Sequence, residues 1–264
     1  MCCINFIIVA DSCRKFSLSL PTSPTYFVSK PNSTTTCNVR TTLNVTKIFL
    51  NGDAASQFPA CLPDRVSILS LIRFPLHSFQ RKFSHKRIKW PGMLRTLLLK
   101  QSSLADFGDH VFRHAPPTVK NVWISNSLVR LRQLPNNFPR SLSSLFVTGS
   151  GLNETGAIFK NLKNLTKISF IRNKLTTVPL GFPASLVRLM LDYNQIASAP
   201  ATAWQGLDNL LYLAMKHNKL TYIPESLPAS LQVIDLANNL VEYCSPSAFA
   251  HIKNLITLKL SYNR

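Results

Sequence analysis

The chain has 264 residues, a formal net charge of +19, 45% hydrophobic residues and only eight glycines. This length is sufficient to bury a sizeable core. The sequence contains no Gly-rich phosphate loop, no nucleophile elbow and no zinc-type spacing of cysteine and histidine, so it predicts neither an enzyme nor a metal or cofactor site. No apolar run approaches the roughly 18 residues that a membrane helix requires, so no membrane span is predicted.

The first 36 residues show no repeating pattern. An apolar run from Ile4 to Ala10 fits a short secretory signal, and the Ser-, Thr-, Pro- and Asn-rich stretch after it has little apolar surface to bury. We therefore interpret 1–36 as a leader or signal peptide with a low-complexity segment. Four N-x-S/T sequons favour a secreted or cell-surface glycoprotein over a cytoplasmic protein. The glycosylation sites that they predict are Asn32, Asn44, Asn153 and Asn164.

From residue 43 onwards the chain repeats the frame LxxLxLxxN, where x is any residue. The frame is degenerate over 43–141 and regular over 142–264, where asparagine closes five copies at spacings of 21, 24, 21 and 24 residues. These asparagines are Asn173, Asn194, Asn218, Asn239 and Asn263. The same position upstream holds Phe74, Ser102, Ser127 and Ser150. Because an asparagine amide bonds more groups than a serine hydroxyl, we expect the first half to be less regular.

Repeats of this kind bury their leucines in one continuous core when they stack, and their strands pair in a parallel sheet. The frame and its period resemble the leucine-rich repeat family, and the alternation of short and long units resembles small leucine-rich proteoglycans and receptor ectodomains. The resemblance implies an α/β repeat solenoid at 37–264, a horseshoe of about ten repeats with a concave parallel β-sheet. Pro-rich extended segments and short 3₁₀ or helical turns are expected on its convex side.

The cysteines differ from the proteoglycan pattern, because the tight N-terminal cluster and a cysteine-bearing C-terminal cap are both missing. Cys37 and Cys61 lie about one repeat apart. This spacing fits either a disulfide between neighbouring turns or two free thiols. Cys244 aligns with core positions and is predicted to be a buried free thiol.

The positive charge is concentrated in residues 65–140, which hold 14 Lys or Arg against two acids. Its densest part is residues 81–90, which we call the basic loop. The cations of the basic loop are Arg81, Lys82, Lys86, Arg87 and Lys89. Clustered cations attract polyanions, so a sulfated glycan is a predicted partner, with a solvated face that has no partner as the alternative. Nucleic acid is less favoured because no nucleic-acid-binding motif is present.

The x side chains of each LxL strand point away from the core, onto the concave face. That face carries consecutive large apolar residues beside several cations, the composition of a protein-binding hot spot. The predicted ligand-binding residues are Leu98, Asn121, Trp123, Phe146, Lys167, Arg188, Met190, Tyr212 and Lys216. In the competing interpretation, loops of the irregular first half cover Trp123 and Phe146.

The sequence thus predicts a non-catalytic protein–protein interaction module that binds its ligand on the concave face. The alternative is a truncated ectodomain of a leucine-rich repeat receptor kinase whose membrane and catalytic parts are missing. That alternative depends on the last repeat, since an end at Arg264 is expected to expose its apolar edge. A cytosolic scaffold is the third hypothesis.

Overall fold

The computed structural model describes two N-terminal strands and most of the chain beyond them: residues 7–10, 25–31, 46–51, 62, 64–73, 90–101, 112, 115–126, 134–245 and 248–264. Within these ranges, twelve parallel strands form one sheet in which every strand pairs with its neighbours in sequence order. The strands are β1 Ile7–Ala10, β2 Thr25–Pro31, β3 Lys47–Asn51, β4 Ile68–Ile72, β5 Thr96–Lys100, β6 Asn121–Ser125, β7 Ser144–Thr148, β8 Lys167–Ser169, β9 Arg188–Met190, β10 Tyr212–Ala214, β11 Val233–Asp235 and β12 Thr257–Lys259.

The predicted repeat solenoid is confirmed. Strands β3 to β12 coincide with the ten predicted copies of the frame, and their register keeps equivalent positions of the frame side by side. Strands β1 and β2 extend the sheet beyond the ten repeats, and the sequence frame did not predict them. The interpretation of 1–36 as a leader stays a prediction.

One column of apolar side chains runs through the core from strand to strand. Its members from β3 to β11 are at most 5% exposed: Ile48, Leu69, Leu97, Val122, Leu145, Ile168, Leu189, Leu213 and Ile234. Alternation along each strand places these side chains on the inner face and their neighbours on the concave face. The core is therefore a continuous stack, and each repeat buries its leucines against the next.

The frame asparagines are buried and join neighbouring repeats. Asn218 is typical: its Nδ2 donates to Leu191 O of the preceding repeat at 3.0 Å and to Met215 O of its own at 2.9 Å. Its Oδ1 accepts the Ile196 N–H at 3.0 Å. Ser150 is also buried, but its Oγ donates only to Thr148 O. A serine thus supplies part of the asparagine bonding, as predicted.

The convex side contains the expected extended segments and short turns. Two of the three predicted helical turns are 3₁₀ helices, Ile158–Asn161 and Ala201–Trp204. The third predicted turn, at Ala248, consists of hydrogen-bonded turns and forms no helix. Aromatic side chains pack around the first of these helices, where the Phe159 ring centroid lies 4.9 Å from that of Phe182 and 6.5 Å from that of Phe170.

The prediction of a buried thiol at Cys244 is wrong, because Cys244 is exposed. The equivalent residues Val178, Ala199 and Ile223 are buried at 1%, 3% and 8% exposure. The Val178 N–H, for example, donates to Ser198 O in the return segment of the following repeat at 3.2 Å, whereas no return segment that the structure describes covers Cys244. The final strand behaves in the same way: Leu258 is 39% exposed, so the apolar edge expected at the last repeat is present.

Candidate functional site

The concave face consists of outward-pointing side chains in register across the strands. The middle row, one residue per strand from β3 to β12, is Phe49, Ser70, Leu98, Trp123, Phe146, Ser169, Met190, Ala214, Asp235 and Lys259. A flanking row contains Asn121, Ser144, Lys167, Arg188 and Tyr212. The predicted binding residues of these two rows therefore line one surface.

Three large apolar residues of the middle row form what we call the aromatic patch: Leu98, Trp123 and Phe146. The Trp123 and Phe146 ring centroids are 4.3 Å apart, with 33° between the ring planes. Trp123 is 46% exposed, whereas Leu98 and Phe146 are half-buried. The loops of the first half lie outside the described residues, so the interpretation in which they cover Trp123 and Phe146 stays an alternative prediction. A large ring held half in contact with its neighbour and half in solvent is the usual form of a protein-binding anchor.

A cationic row lies next to the aromatic patch. Lys167 and Arg188 are exposed and adjacent in register, and the Arg188 guanidinium carbon lies 4.5 Å from the Tyr212 ring centroid. Such a cation–π contact fixes the guanidinium in direction without consuming its N–H donors. Neither cation forms an ion pair with any residue that the structure describes, so both remain available to a negatively charged ligand.

The remaining predicted residues lie farther along the sheet. Met190 and Lys216 are half-buried. Asp192 lies beside them at 7% exposure, and its Oδ1 accepts the Lys216 N–H at 3.0 Å. Burial raises the pKa of the Asp192 carboxyl above its ordinary value, and the hydrogen bond from Lys216 and the Lys216 charge only partly oppose this rise.

A second group of exposed side chains was missed by the sequence analysis. Arg172, Tyr193 and His217 occupy the residue immediately before the asparagine in three successive repeats, and we call them the rim ladder. The Tyr193 and His217 rings stack with centroids 4.3 Å apart and 18° between their planes. The Arg172 guanidinium carbon and the Lys216 ammonium lie 5.4 Å and 5.8 Å from the Tyr193 centroid. Their recurrence at one frame position was the only available sequence signal.

Several predicted sites lie outside the described residues: the basic loop cations Arg81, Lys82, Lys86, Arg87 and Lys89, the sequons Asn32 and Asn44, and the cysteines Cys37 and Cys61. Asn153 and Asn164 are described and exposed. The Asn164 Nδ2 donates to Arg140 O at 3.1 Å, and Asn209, which is not in a sequon, makes the equivalent bond to Ala184 O. Asn164 therefore has a structural role in addition to its predicted glycosylation.

Across the described ranges, no group of three or more histidine, cysteine or acidic side chains is placed to hold a metal ion. Within the same ranges, no helix has the length and apolarity needed to cross a membrane.

Comparison of the sequence with known proteins identifies podocan and fibromodulin as relatives. The chain is 34% identical to mouse podocan over 106 residues, which is 37% of this chain and 16% of podocan. It is 30% identical over 80 residues to fibromodulin from pig and from rabbit, which is 29% of this chain and 54% of each relative. The chain thus spans about half the length of the fibromodulins and a smaller part of podocan. No family model matches the chain.

Comparison with solved structures identifies the same fold. YopM from Yersinia enterocolitica WA-314 aligns with a TM-score of 0.58 over 90% of this chain and 45% of its own, at 19% identity. TLR13, in a crystal structure of the TLR13–ssRNA13 complex, aligns with a TM-score of 0.65 over 82% of this chain and 32% of its own, also at 19% identity. Together with the sequence relatives, these alignments confirm the leucine-rich repeat assignment.

Proposed function

Since the chain is a leucine-rich repeat protein, we propose that it is a non-catalytic interaction module whose concave face binds a protein. The observation that carries this proposal is the exposed Trp123 ring, held at 4.3 Å against Phe146 in the middle of the sheet. A ring fixed on a strand loses little conformational entropy when a partner covers it. Trp123 is therefore the residue from which we expect most of the binding energy.

The cationic row defines the chemistry of the partner. Lys167 and Arg188 lie one and two strands beyond Phe146, in the row that flanks the aromatic patch. At about 4.8 Å per strand, both charges are on the order of 5 to 10 Å from the patch. A partner that places an apolar or aromatic anchor on Trp123 therefore brings its neighbouring residues over these cations. We propose that those residues are acidic.

A selection experiment with the full chain tests this function. Phage displaying random dodecapeptides are selected on the wild-type protein, and the enriched peptides are then measured on variants. We expect peptides with an aromatic anchor and acidic neighbours, and we expect Trp123→Ala to weaken them by at least about tenfold, as a hot-spot truncation does. A receptor ectodomain would use the same face, so this experiment applies to both hypotheses.

Tyr222→Ala is the matched control for this experiment. Tyr222 is 46% exposed, as Trp123 is, but it lies in the return segment after β10 and not in a strand. Its removal is expected to leave peptide affinity unchanged. Peptides that bind Trp123→Ala as tightly as wild type, or that lose equal affinity with Tyr222→Ala, would contradict the proposal. Circular dichroism of both variants checks that the fold is retained.

We also propose that the protein is extracellular and binds a sulfated glycan through the basic loop. The similarity to podocan and fibromodulin and the exposure of Asn153 and Asn164 support secretion. Expression in a secretory eukaryotic host should give a glycosidase-sensitive mass. A cell-retained protein with an unmodified mass would reject the extracellular location.

Elution from heparin tests the glycan site. Replacing the five basic loop cations by glutamine should lower the salt concentration at which the chain elutes. The control removes the same charge elsewhere, by glutamine at five exposed lysines: Lys160, Lys163, Lys174, Lys219 and Lys253. If both variants elute equally early, the effect is that of net charge and the basic loop is not a glycan site.

A further inference from the structure

The rim ladder occupies a strained backbone position that recurs in successive described repeats. The residue before the asparagine position has φ between 49° and 60° in nine successive repeats: Arg73, Gln101, Asn126, Gly149, Arg172, Tyr193, His217, Asn238 and Tyr262. In the first eight of these residues the backbone N–H donates to a carbonyl of the following repeat, as Tyr193 N does to Lys216 O at 2.9 Å. The left-handed conformation thus accompanies the hydrogen bonding between stacked repeats.

Glycine and asparagine adopt this conformation at the lowest cost, whereas a bulky side chain costs roughly 1 kcal/mol more. Asn126, Gly149 and Asn238 follow this preference. Six of the nine positions depart from it: Arg73, Gln101 and Tyr262, and the three adjacent members of the rim ladder, Arg172, Tyr193 and His217. The exposed side chains of the rim ladder break the preference for glycine or asparagine without adding to the core. Repeated departures of this kind are expected where the side chains serve binding.

The side chains of the rim ladder form a compact cationic cluster. The Tyr193 ring packs on His217, and the charges of Arg172 and Lys216 lie within 5.8 Å of its centroid. Arg172 has no ion pair within the described parts of the chain. The cluster therefore presents a guanidinium, an ammonium, a phenol and an imidazole on one exposed surface, all of them groups that bind oxyanions.

We propose that the rim ladder is a binding site for an acidic peptide segment, separate from the aromatic patch. The Trp123 and Tyr193 positions are three strands apart, about 14 Å along the sheet. Carboxylates suit this cluster better than nucleic acid does. Proteins that bind single strands leave ring faces free for bases, whereas the Tyr193 face is already packed on His217.

Because of Asp192, Arg172 and Lys216 are expected to contribute unequally to the binding of an acidic peptide. Its carboxyl is buried beneath the cluster, where it accepts the Lys216 N–H, and the Lys216 charge acts on it. Lys216 is therefore partly offset by an internal acid, while Arg172 is not. Arg172 is expected to contribute more to the binding of an acidic peptide than Lys216 does.

Fluorescence anisotropy of a labelled hexaglutamate peptide, titrated with the full chain at low salt, tests the proposal. Arg172→Gln should weaken binding by about fivefold or more, and Lys216→Gln by less. The controls are Lys174→Gln and Lys219→Gln, which remove one charge each from exposed lysines in the same two repeats and should change affinity by less than about twofold. Equal effects of test and control variants would overturn the site.

Tyr193→Asn separates binding from folding. Asparagine occupies the same backbone position at Asn126 and Asn238, so this variant should keep or raise the melting temperature while weakening hexaglutamate binding. Unchanged affinity in Tyr193→Asn would overturn the proposal, as would tighter binding of hexathymidylate than of hexaglutamate. Trp123→Ala should leave hexaglutamate affinity unchanged, so failure of this site and failure of the proposed concave-face function are distinguishable.

Discussion

Strands β3 to β7 contain five residues each, whereas strands β8 to β12 contain three. The second group coincides with the repeats that end in asparagine. Asn194 shows the reason, because its Nδ2 donates to Phe170 O, Leu191 O and Asp192 O. The carbonyl groups just after β8 and β9 are thus hydrogen-bonded to the asparagine side chain. Where the asparagine is missing, pairing between strands continues for two more residues.

The five-residue and the three-residue strands therefore suit different kinds of binding surface. A five-residue strand presents three outward side chains and a three-residue strand presents two, so the concave face is widest at β3 to β7. The aromatic patch lies on these wide strands. The asparagine-bonded half offers a more tightly bonded and narrower surface, and it carries the cationic row and the rim ladder. The following predictions test this division, from the largest expected effect to the smallest.

Removal of a frame asparagine should cost far more stability than removal of its serine counterpart. Asn218→Ala deletes four hydrogen bonds, three buried and one part-buried, so we expect a loss of about 3 kcal/mol in the free energy of unfolding. Ser150→Ala deletes one and should cost about 1 kcal/mol. Urea unfolding followed by circular dichroism measures both. Equal losses would show that the asparagines do not distinguish the two halves.

The cationic row should contribute a smaller, localised stabilisation. Arg188→Gln removes the contact with the Tyr212 ring and is expected to lower the free energy of unfolding by about 0.5 to 1 kcal/mol. Lys167→Gln, in the adjacent strand, removes no described contact of this kind and should change stability by less than about 0.5 kcal/mol. The same urea titration compares them, and a larger loss for Lys167→Gln would contradict the assignment of the contact.

Asp192 should produce the smallest effect, and its sign depends on pH. Because burial raises the pKa of the folded Asp192 above its ordinary value of 3.8, the charged carboxylate lowers stability at neutral pH. Protonation removes this cost as the pH falls through the raised pKa. Asp192→Asn should therefore be more stable than wild type at neutral pH, and the difference should vanish in acid. A variant that is less stable at neutral pH would show that the charge is stabilising.

Much of this molecule was predictable because its repeat frame fixes both the period and the alternation. The frame determines which residues pair, and strand alternation then assigns Leu98, Trp123 and Phe146 to the concave face and Leu97 and Val122 to the core. The 3₁₀ turn at Ile158 followed from apolar residues three apart. Each of these features depends on local spacing, which the sequence contains directly.

The features that were missed or wrong depend on contacts that spacing does not encode. Strands β1 and β2 lack the leucine frame, so no pattern marked them. The side chains of the rim ladder belong to residues with a left-handed backbone. Strand alternation does not predict the direction in which such side chains point. Cys244 occupies a core position of the frame but is exposed, because no return segment among the described residues covers it.

Acrylamide quenching of tryptophan fluorescence tests the central claim, that the aromatic patch is the protein-binding surface. Trp90 and Trp204 are 7% and 3% exposed, so Trp123, at 46%, is the accessible member of the three tryptophans. The free protein should show one quenchable fraction. A saturating amount of a selected, tryptophan-free peptide should protect that fraction if the peptide binds the aromatic patch. A quenchable fraction that persists unchanged in the saturated complex would contradict the account.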